Sequence, residues 1–121
     1  MKTLSAAHIK NLDAFDSREY LQRCVEDLKE IAFCNPYPKD ESEYPAFVTH
    51  VYGVAKKYGL NSPKEAFALM LAWHVRGENF VREKRVIELF EKEKSSYVKY
   101  QYLMNIAVET IEAYEKQGEE R

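Results

Sequence analysis

Residues 62–77, SPKEAFALMLAWHVRG, form a stretch in which both ends of one helix are marked. Ser62 is a residue type that caps helix N-termini, Pro63 fits the first helical position, and Glu65 completes the sequence pattern of a capping box. Gly77 stands where a residue of left-handed conformation ends a helix. The side chains between these ends are apolar on almost every side, and a helix of that kind is surrounded by other elements. We therefore predict that this helix is buried at the centre of the fold.

The remaining apolar residues recur at three- and four-residue spacing, which is typical of amphipathic helices, and no segment has the alternation of a strand. The residues DSRE at 16–19 form a second capping-box pattern, and the prolines of NPYP at 35–38 end the helix that follows it. The predicted helices cover about residues 4–13, 17–34, 45–58, 63–76, 82–93 and 97–116. This predicts an all-α fold, a compact bundle of five to six helices around the buried central helix. Residues 117–121 are expected to fray.

Length and composition indicate a single helical domain over residues 1–121. Of the 121 residues, 45% are hydrophobic and 31% are charged, and the formal net charge is −2. A chain of this size builds one core, and its charge balance lacks the basic excess of a nucleic-acid-binding protein. Residues 1–15 are expected to form a short helix and not a signal peptide, and no apolar run reaches the length of a membrane span. We therefore expect a cytoplasmic protein that binds neither nucleic acid nor membranes.

The two cysteines, Cys24 and Cys34, are expected to be free thiols. If both lie on one helix, they are about 15 Å apart, whereas a disulfide needs Cα atoms within about 7 Å. Free thiols indicate a reducing compartment. Cys24 lies inside an apolar stripe and is interpreted as a small core residue.

The residue types that carry catalysis or bind metals do not form a recognisable pattern in this sequence. None of His8, His50 and His74 forms an i, i+4 pair, and no cysteine or acidic residue completes a zinc-type cluster with them. The four glycines are isolated, which argues against a phosphate-binding loop. His74 shares a face with apolar residues, so we interpret it as a core histidine whose ring nitrogens find polar partners. We therefore predict a non-enzymatic protein without catalytic residues, metal or cofactor.

The clearest loop is predicted at residues 35–44, NPYPKDESEY, which is polar and acidic and carries two tyrosines that we expect to be exposed. Such a segment serves either as a plain connector or as a contact site. The nine tyrosines of the chain leave two interpretations open, a tyrosine-rich rim of the core or a tyrosine-rich contact surface. The candidate residues for binding a protein partner are Tyr37, Asp40, Glu41, Glu43 and Tyr44.

A longer combination of residues runs through the centre of the chain. It consists of Val51, Ala55-x-x-Tyr58-Gly59-Leu60, Phe67-x-x-Met70, Gly77-x-x-Phe80 and Lys99-x-x-x-Leu103. Over about residues 44–110, this combination resembles small helical bacterial proteins that are carried in the gene neighbourhoods of type VI secretion effectors. The resemblance implies an accessory role, either as an immunity protein for a cognate toxin or as an adaptor that helps to load an effector. It implies no catalytic residues.

Together these observations favour a protein-binding module that acts as an immunity or accessory/adaptor protein for a bacterial toxin or secretion effector. The alternative is a small-molecule-binding or enzymatic helical domain that uses the region of Trp73, His74 and Arg76. A third hypothesis is a homo-oligomer with a structural role, and a homodimer is compatible with the sequence.

Overall fold

A computed structural model describes the backbone of residues 6–31 and 37–119, and within them the side chains of residues 18–31 and 37–116. Its five α-helices are α1 (Ala6–Glu30), α2 (Tyr44–Lys57), α3 (Pro63–Arg76), α4 (Lys84–Lys92) and α5 (Ser96–Glu119). Two 3₁₀ turns, Glu41–Glu43 and Phe80–Arg82, precede α2 and α4. The described residues contain no strand, so the prediction of an all-α fold is confirmed.

Helix α3 is the central helix that the sequence predicts. It contacts α5, α2 and α1, and nine of its 14 residues are buried. The predicted capping box is present, because the Glu65 N–H donates to Ser62 Oγ at 3.1 Å and the Ser62 N–H donates to the Glu65 carboxylate at 3.4 Å. Gly77 ends the helix with φ 109° and ψ 178°, a conformation that only glycine adopts readily.

The C-terminal end of α2 is closed by a Schellman motif. The Gly59 N–H donates to the Lys56 carbonyl at 3.2 Å, and the Leu60 N–H donates to the Ala55 carbonyl at 2.8 Å. Gly59 has φ 84°, the positive value that this motif requires. Leu60 and Ala55 are both fully buried, so the motif also directs the chain into the core before α3 begins.

The N-terminal part of the chain corrects the predicted helix boundaries. Residues 16 and 17 lie inside the single helix α1, so the short helix within residues 1–15 and the second helix starting at 17 are one element. Aspartate and serine cost little in a helix interior, and no glycine or proline interrupts α1. The helix ends at Glu30 rather than near residue 34. Cys34 and the first residues of the predicted 35–44 loop lie outside the described residues.

The predicted loop is also shorter at its other end. The Asp40 carboxylate accepts hydrogen bonds from the Ser42 N–H and hydroxyl, both at 3.0 Å, and so starts the 3₁₀ turn Glu41–Glu43. This turn leads directly into α2, which begins at Tyr44. The last four residues of the predicted loop are therefore helical or 3₁₀ in conformation.

The C-terminal helix agrees with the prediction at its start and differs at its end. Ser95 caps α5, because its hydroxyl accepts a hydrogen bond from the Val98 N–H at 3.3 Å. The helix continues to Glu119, into the segment for which the sequence predicts fraying. A single glycine at position 118 costs only about 1 kcal/mol in a helix and does not end it. Residues 120 and 121 lie outside the described part.

Candidate functional site

The five residues predicted to bind a partner lie in different surroundings. The three acidic side chains are exposed as expected: Asp40, Glu41 and Glu43. Tyr44 is only 5% exposed, so the expectation that it is an exposed contact residue is wrong. Because Tyr44 is the first residue of α2, it lies one helical turn from Val48 on the buried face of that helix, and its ring meets the His74 ring at 5.8 Å between centroids.

Tyr37 is half-buried and is tied to α3 by its backbone. Its N–H donates to the His74 carbonyl at 3.1 Å, and its own carbonyl lies 3.0 Å from His74 Nδ1. Since a carbonyl only accepts, Nδ1 carries the ring proton in this hydrogen bond. The Tyr37 ring packs edge-on against Phe47, with 5.4 Å between centroids.

His74 is fully buried, which agrees with its interpretation as a core residue. Burial lowers the pKa of its ring, and the backbone carbonyls of Tyr37 and Ile31 act in the opposite direction. Among the described residues, Nε2 has no hydrogen-bond partner of good geometry. The expectation that both ring nitrogens are satisfied is therefore fulfilled for Nδ1 only.

The residues of the alternative site, Trp73, His74 and Arg76, do not converge. The Trp73 indole N–H donates to the Glu78 carbonyl at 3.2 Å. The Arg76 guanidinium binds the Glu83 carboxylate at 3.1 Å and so joins the end of α3 to the start of α4. Trp73 lines the two surface cavities described below, whereas His74 is fully buried.

A surface groove runs between α2 and the segment formed by the second 3₁₀ turn and α4, with the end of α3 as its floor. It consists of two adjoining cavities, which we call the narrow half, of about 270 Å³, and the wide half, of about 590 Å³. His50, Trp73 and Val81 line both halves, so the two cavities lie next to each other. The narrow half is completed by Val54, Lys57, Tyr58, Ile87, Phe90 and Glu91. The wide half is completed by Tyr37, Pro38, Glu43, Ala46, Phe47, Glu78 and Arg82.

Aromatic rings form the walls of both halves. In the narrow half, the rings of Tyr58 and Phe90 stack in parallel at 4.5 Å between centroids. In the wide half, Phe47 meets Trp73 edge-on at 5.9 Å, and His50 meets the same indole at 5.8 Å. Trp73 is only 7% exposed, so it forms the floor of the groove where the two halves join.

Sequence reasoning missed most of this groove. It identified Tyr37 and Glu43 as candidate binding residues and Trp73 as a candidate of the alternative site, and the structure places these three in the wide half. The remaining walls come from α2, the second 3₁₀ turn and α4, which no sequence pattern brings together. The one hint in the sequence is that His50 lies on the flank of the apolar stripe of α2.

The described residues contain no group of three or more His, Cys, Asp or Glu side chains that could hold a metal ion. Among the helices in the described part of the chain, none is both long and apolar enough to cross a membrane. Comparison of the chain with protein-family models, characterised proteins and solved structures found no match.

Proposed function

We propose that this protein is a non-enzymatic protein-binding module that receives its partner in the groove around Trp73. The observation that carries the proposal is that two adjoining surface cavities share a single indole, with aromatic side chains on both sides. Binding energy at protein interfaces is concentrated in a few central positions, and tryptophan, tyrosine and arginine are enriched among them. This groove has a tryptophan at its centre, tyrosines in both halves and an arginine at its edge.

The distribution of polar groups supports the same proposal. A protein interface typically has an apolar centre surrounded by polar residues that remain in contact with water. Here the charged side chains Lys57, Glu91, Glu43, Glu78 and Arg82 line the groove around an aromatic and aliphatic floor. A homodimer, in which a second copy of the chain covers the groove, is the alternative.

As a more specific role, we propose that the partner is a bacterial toxin or secretion effector. The resemblance over residues 44–110 supports an immunity protein or an adaptor. The two roles differ in outcome, because an immunity protein abolishes the toxicity of its partner, whereas an adaptor binds its partner and promotes its secretion without neutralising it.

The first prediction tests the groove with two matched substitutions. Ile87 is 40% exposed and lines the narrow half, and Val108 is 42% exposed on α5, outside the groove. Ile87→Arg places a long charged side chain at the groove, so we expect it to weaken the complex with the product of the neighbouring gene at least about tenfold. Val108→Arg is expected to leave the affinity unchanged. Isothermal titration calorimetry with the two purified proteins provides the measurement.

Co-expression then separates the specific roles. If the neighbouring product is toxic and the wild-type protein restores growth while Ile87→Arg does not, the immunity role is supported. Complex formation without rescue supports the adaptor. Equal affinities of both variants would contradict the groove as the binding surface, and a neighbouring gene that encodes neither a toxin nor a secretion component would contradict both roles.

A further inference from the structure

We infer that the wide half of the groove binds a cationic side chain, arginine or lysine, of the protein partner, and that an adjacent apolar side chain of the partner fills the narrow half. This inference rests on the proposed function and adds the chemistry of the segment that is recognised. It follows from the aromatic side chains of the wide half, from two carboxylates that form no ion pair with a described residue, and from the contrast between the two halves.

Three aromatic rings contribute to the wide half, those of Tyr37, Phe47 and Trp73. Tyr37 and Phe47 are nearly perpendicular, with an interplanar angle of 89°, and Phe47 and Trp73 form an angle of 85°. In such edge-to-face pairs the rings cover one another, and Phe47 and Trp73 are each only 7% exposed, so the half-buried Tyr37 supplies most of the accessible ring surface. A cation over an aromatic face is attracted by the negative potential above the ring, which favours a cationic side chain placed against Tyr37.

Two exposed glutamates, Glu43 and Glu78, line the same half. Glu43 occupies the N-cap position of α2, yet its side chain makes no capping hydrogen bond. Glu78 is positioned by its backbone, because its carbonyl accepts the hydrogen bond from the Trp73 indole. In the part of the chain that the structure describes, neither carboxylate takes part in an ion pair. Charge-assisted hydrogen bonds to such carboxylates are stronger than those between neutral groups.

Among the described residues that line the wide half, Arg82 is the one with an arginine or lysine side chain, so it is the cation that can compete for these carboxylates. The neighbouring arginines Arg76 and Arg85 are both held by Glu83 at 3.1 Å, whereas Arg82 forms no ion pair with any described residue. Arg82 is exposed, so its flexible side chain can move to the edge of the groove when a ligand enters. The wide half then presents two negative charges against a partner cation, and such complementarity determines specificity and association rate.

The narrow half differs in character and lies next to it. Val54, Ile87 and the stacked pair of Tyr58 and Phe90 give it an apolar interior. Because Trp73 is shared by both halves, an occupant of one half touches an occupant of the other across a single indole. The partner segment therefore carries its apolar and its cationic side chain close together in sequence, or one turn apart on a helix.

The test uses three short probes that differ in one side chain: acetyl-Gly-Leu-Arg-Gly-amide, the same peptide with citrulline in place of arginine, and the same peptide with glutamate. Citrulline keeps the shape of arginine and removes its charge. Trp73 is the only tryptophan of the chain, so its indole N–H gives a single NMR resonance that reports on the groove in the intact protein. We expect the arginine probe to bind about fivefold more tightly than the citrulline probe, and the glutamate probe to bind most weakly.

Two variants and one control test whether the preference for the arginine probe depends on Glu43 and Glu78. Glu43→Gln and Glu78→Gln are expected to reduce the affinity for the arginine probe about threefold each while leaving that for the citrulline probe unchanged. Glu112→Gln, an exposed carboxylate of α5 outside the groove, is the matched control. All three positions are exposed, and circular dichroism verifies that each variant is folded.

Equal binding of the arginine and citrulline probes, or tightest binding of the glutamate probe, overturns the inference. The same holds if no probe shifts the Trp73 resonance at millimolar concentration while the partner complex still depends on Ile87. In that case the proposed function stands, because it is judged by the separate pair Ile87→Arg and Val108→Arg. An arginine preference in the probes, combined with a partner complex that is indifferent to Ile87→Arg, would support the inference about the groove chemistry and contradict the proposed role in the partner complex.

Discussion

His74 connects the segment at residue 37 to the centre of the fold through two hydrogen bonds. The His74 backbone carbonyl accepts a hydrogen bond from the Tyr37 N–H, and His74 Nδ1 donates one to the Tyr37 carbonyl. These two hydrogen bonds join α3 to the start of the wide half of the groove. Because burial lowers the pKa of the ring, the folded state favours neutral His74. The position of Tyr37 in the groove therefore depends on a histidine that lies outside it.

The lowered pKa gives a pH dependence of stability with a definite sign. An unfolded histidine titrates near pH 6.5, and the folded state binds a proton less readily, so the stabilising effect is fully present above about pH 6.5 and is lost as the pH falls below it. His74→Asn keeps a donor for the Tyr37 carbonyl and removes the titration. We expect this variant to be less stable by about 2 kcal/mol at neutral pH, and its free energy of unfolding to fall less steeply than that of the wild type between about pH 6.5 and 5.

Urea unfolding monitored by circular dichroism at several pH values provides the measurement. His50→Asn, at an exposed histidine of α2, is the matched control for the loss of an imidazole. Parallel pH profiles of the wild type and His74→Asn would contradict a role for this ring.

At the scale of elements, helix ends were predictable where one local rule applied without competition. The Ser62–Glu65 capping box and the positive φ values of Gly59 and Gly77 follow from residues within a few positions of each end. The boundary expected near residue 16 is absent because a capping pattern also fits into a continuous helix when no glycine or proline stops it. Local patterns therefore indicate where a helix can begin, and competing helical periodicity decides whether it does.

Gly53 offers a second prediction, because it is a glycine inside a helix. It lies in the middle of α2, is exposed, and an added Cβ would meet no atom within 4 Å. Gly53→Ala should therefore stabilise the protein by about 0.5–1 kcal/mol, because alanine loses less backbone entropy on folding. Chemical denaturation measures this change.

Gly77→Ala is the matched control for this substitution. An added Cβ would again meet no atom within 4 Å, but φ is 109° at this position. We expect a loss of more than about 1 kcal/mol, since the backbone conformation is strained for any residue with a Cβ. If both substitutions changed stability in the same direction, helix propensity and backbone conformation would not explain the two sites.

At the scale of the whole molecule, the fold class was predictable and the groove was not. Apolar residues at helical spacing specify which face of each helix is buried. They do not specify that Val81 and Phe90 approach His50 and Val54, because this depends on how α4 is placed by the turn after α3. The prediction that Tyr44 is exposed is wrong for a related reason, because a tyrosine at the start of a helix can face either the solvent or the core.

Lys99 connects distant parts of the molecule. It gives a structural reason for two parts of the residue combination described above, Tyr58-Gly59-Leu60 and Lys99-x-x-x-Leu103. It extends from α5, is only 6% exposed, and donates from Nζ to the Tyr58 carbonyl at 2.6 Å. That carbonyl lies at the C-terminal end of α2, where the helix dipole is negative. Leu103, one turn further along α5, is fully buried. The end of α2 and the start of α5 are thus joined by one charged side chain, and this combination of residues has a structural role.

This contact leads to the last prediction. Lys99→Met preserves the long apolar stem and removes the ammonium, so the Tyr58 carbonyl loses its charged donor and the C-terminus of α2 loses a favourable charge. We expect the free energy of unfolding to fall by about 1–2 kcal/mol, even though removing a buried charge recovers part of its desolvation cost. Lys64→Met is the control, because Lys64 is exposed and lies over the Tyr100 ring at 4.9 Å, where loss of the charge should change stability by no more than about 0.5 kcal/mol. Urea unfolding of the three proteins measures both changes. A Lys99→Met variant as stable as the wild type would show that the end of α2 is held by the Schellman motif and core packing alone.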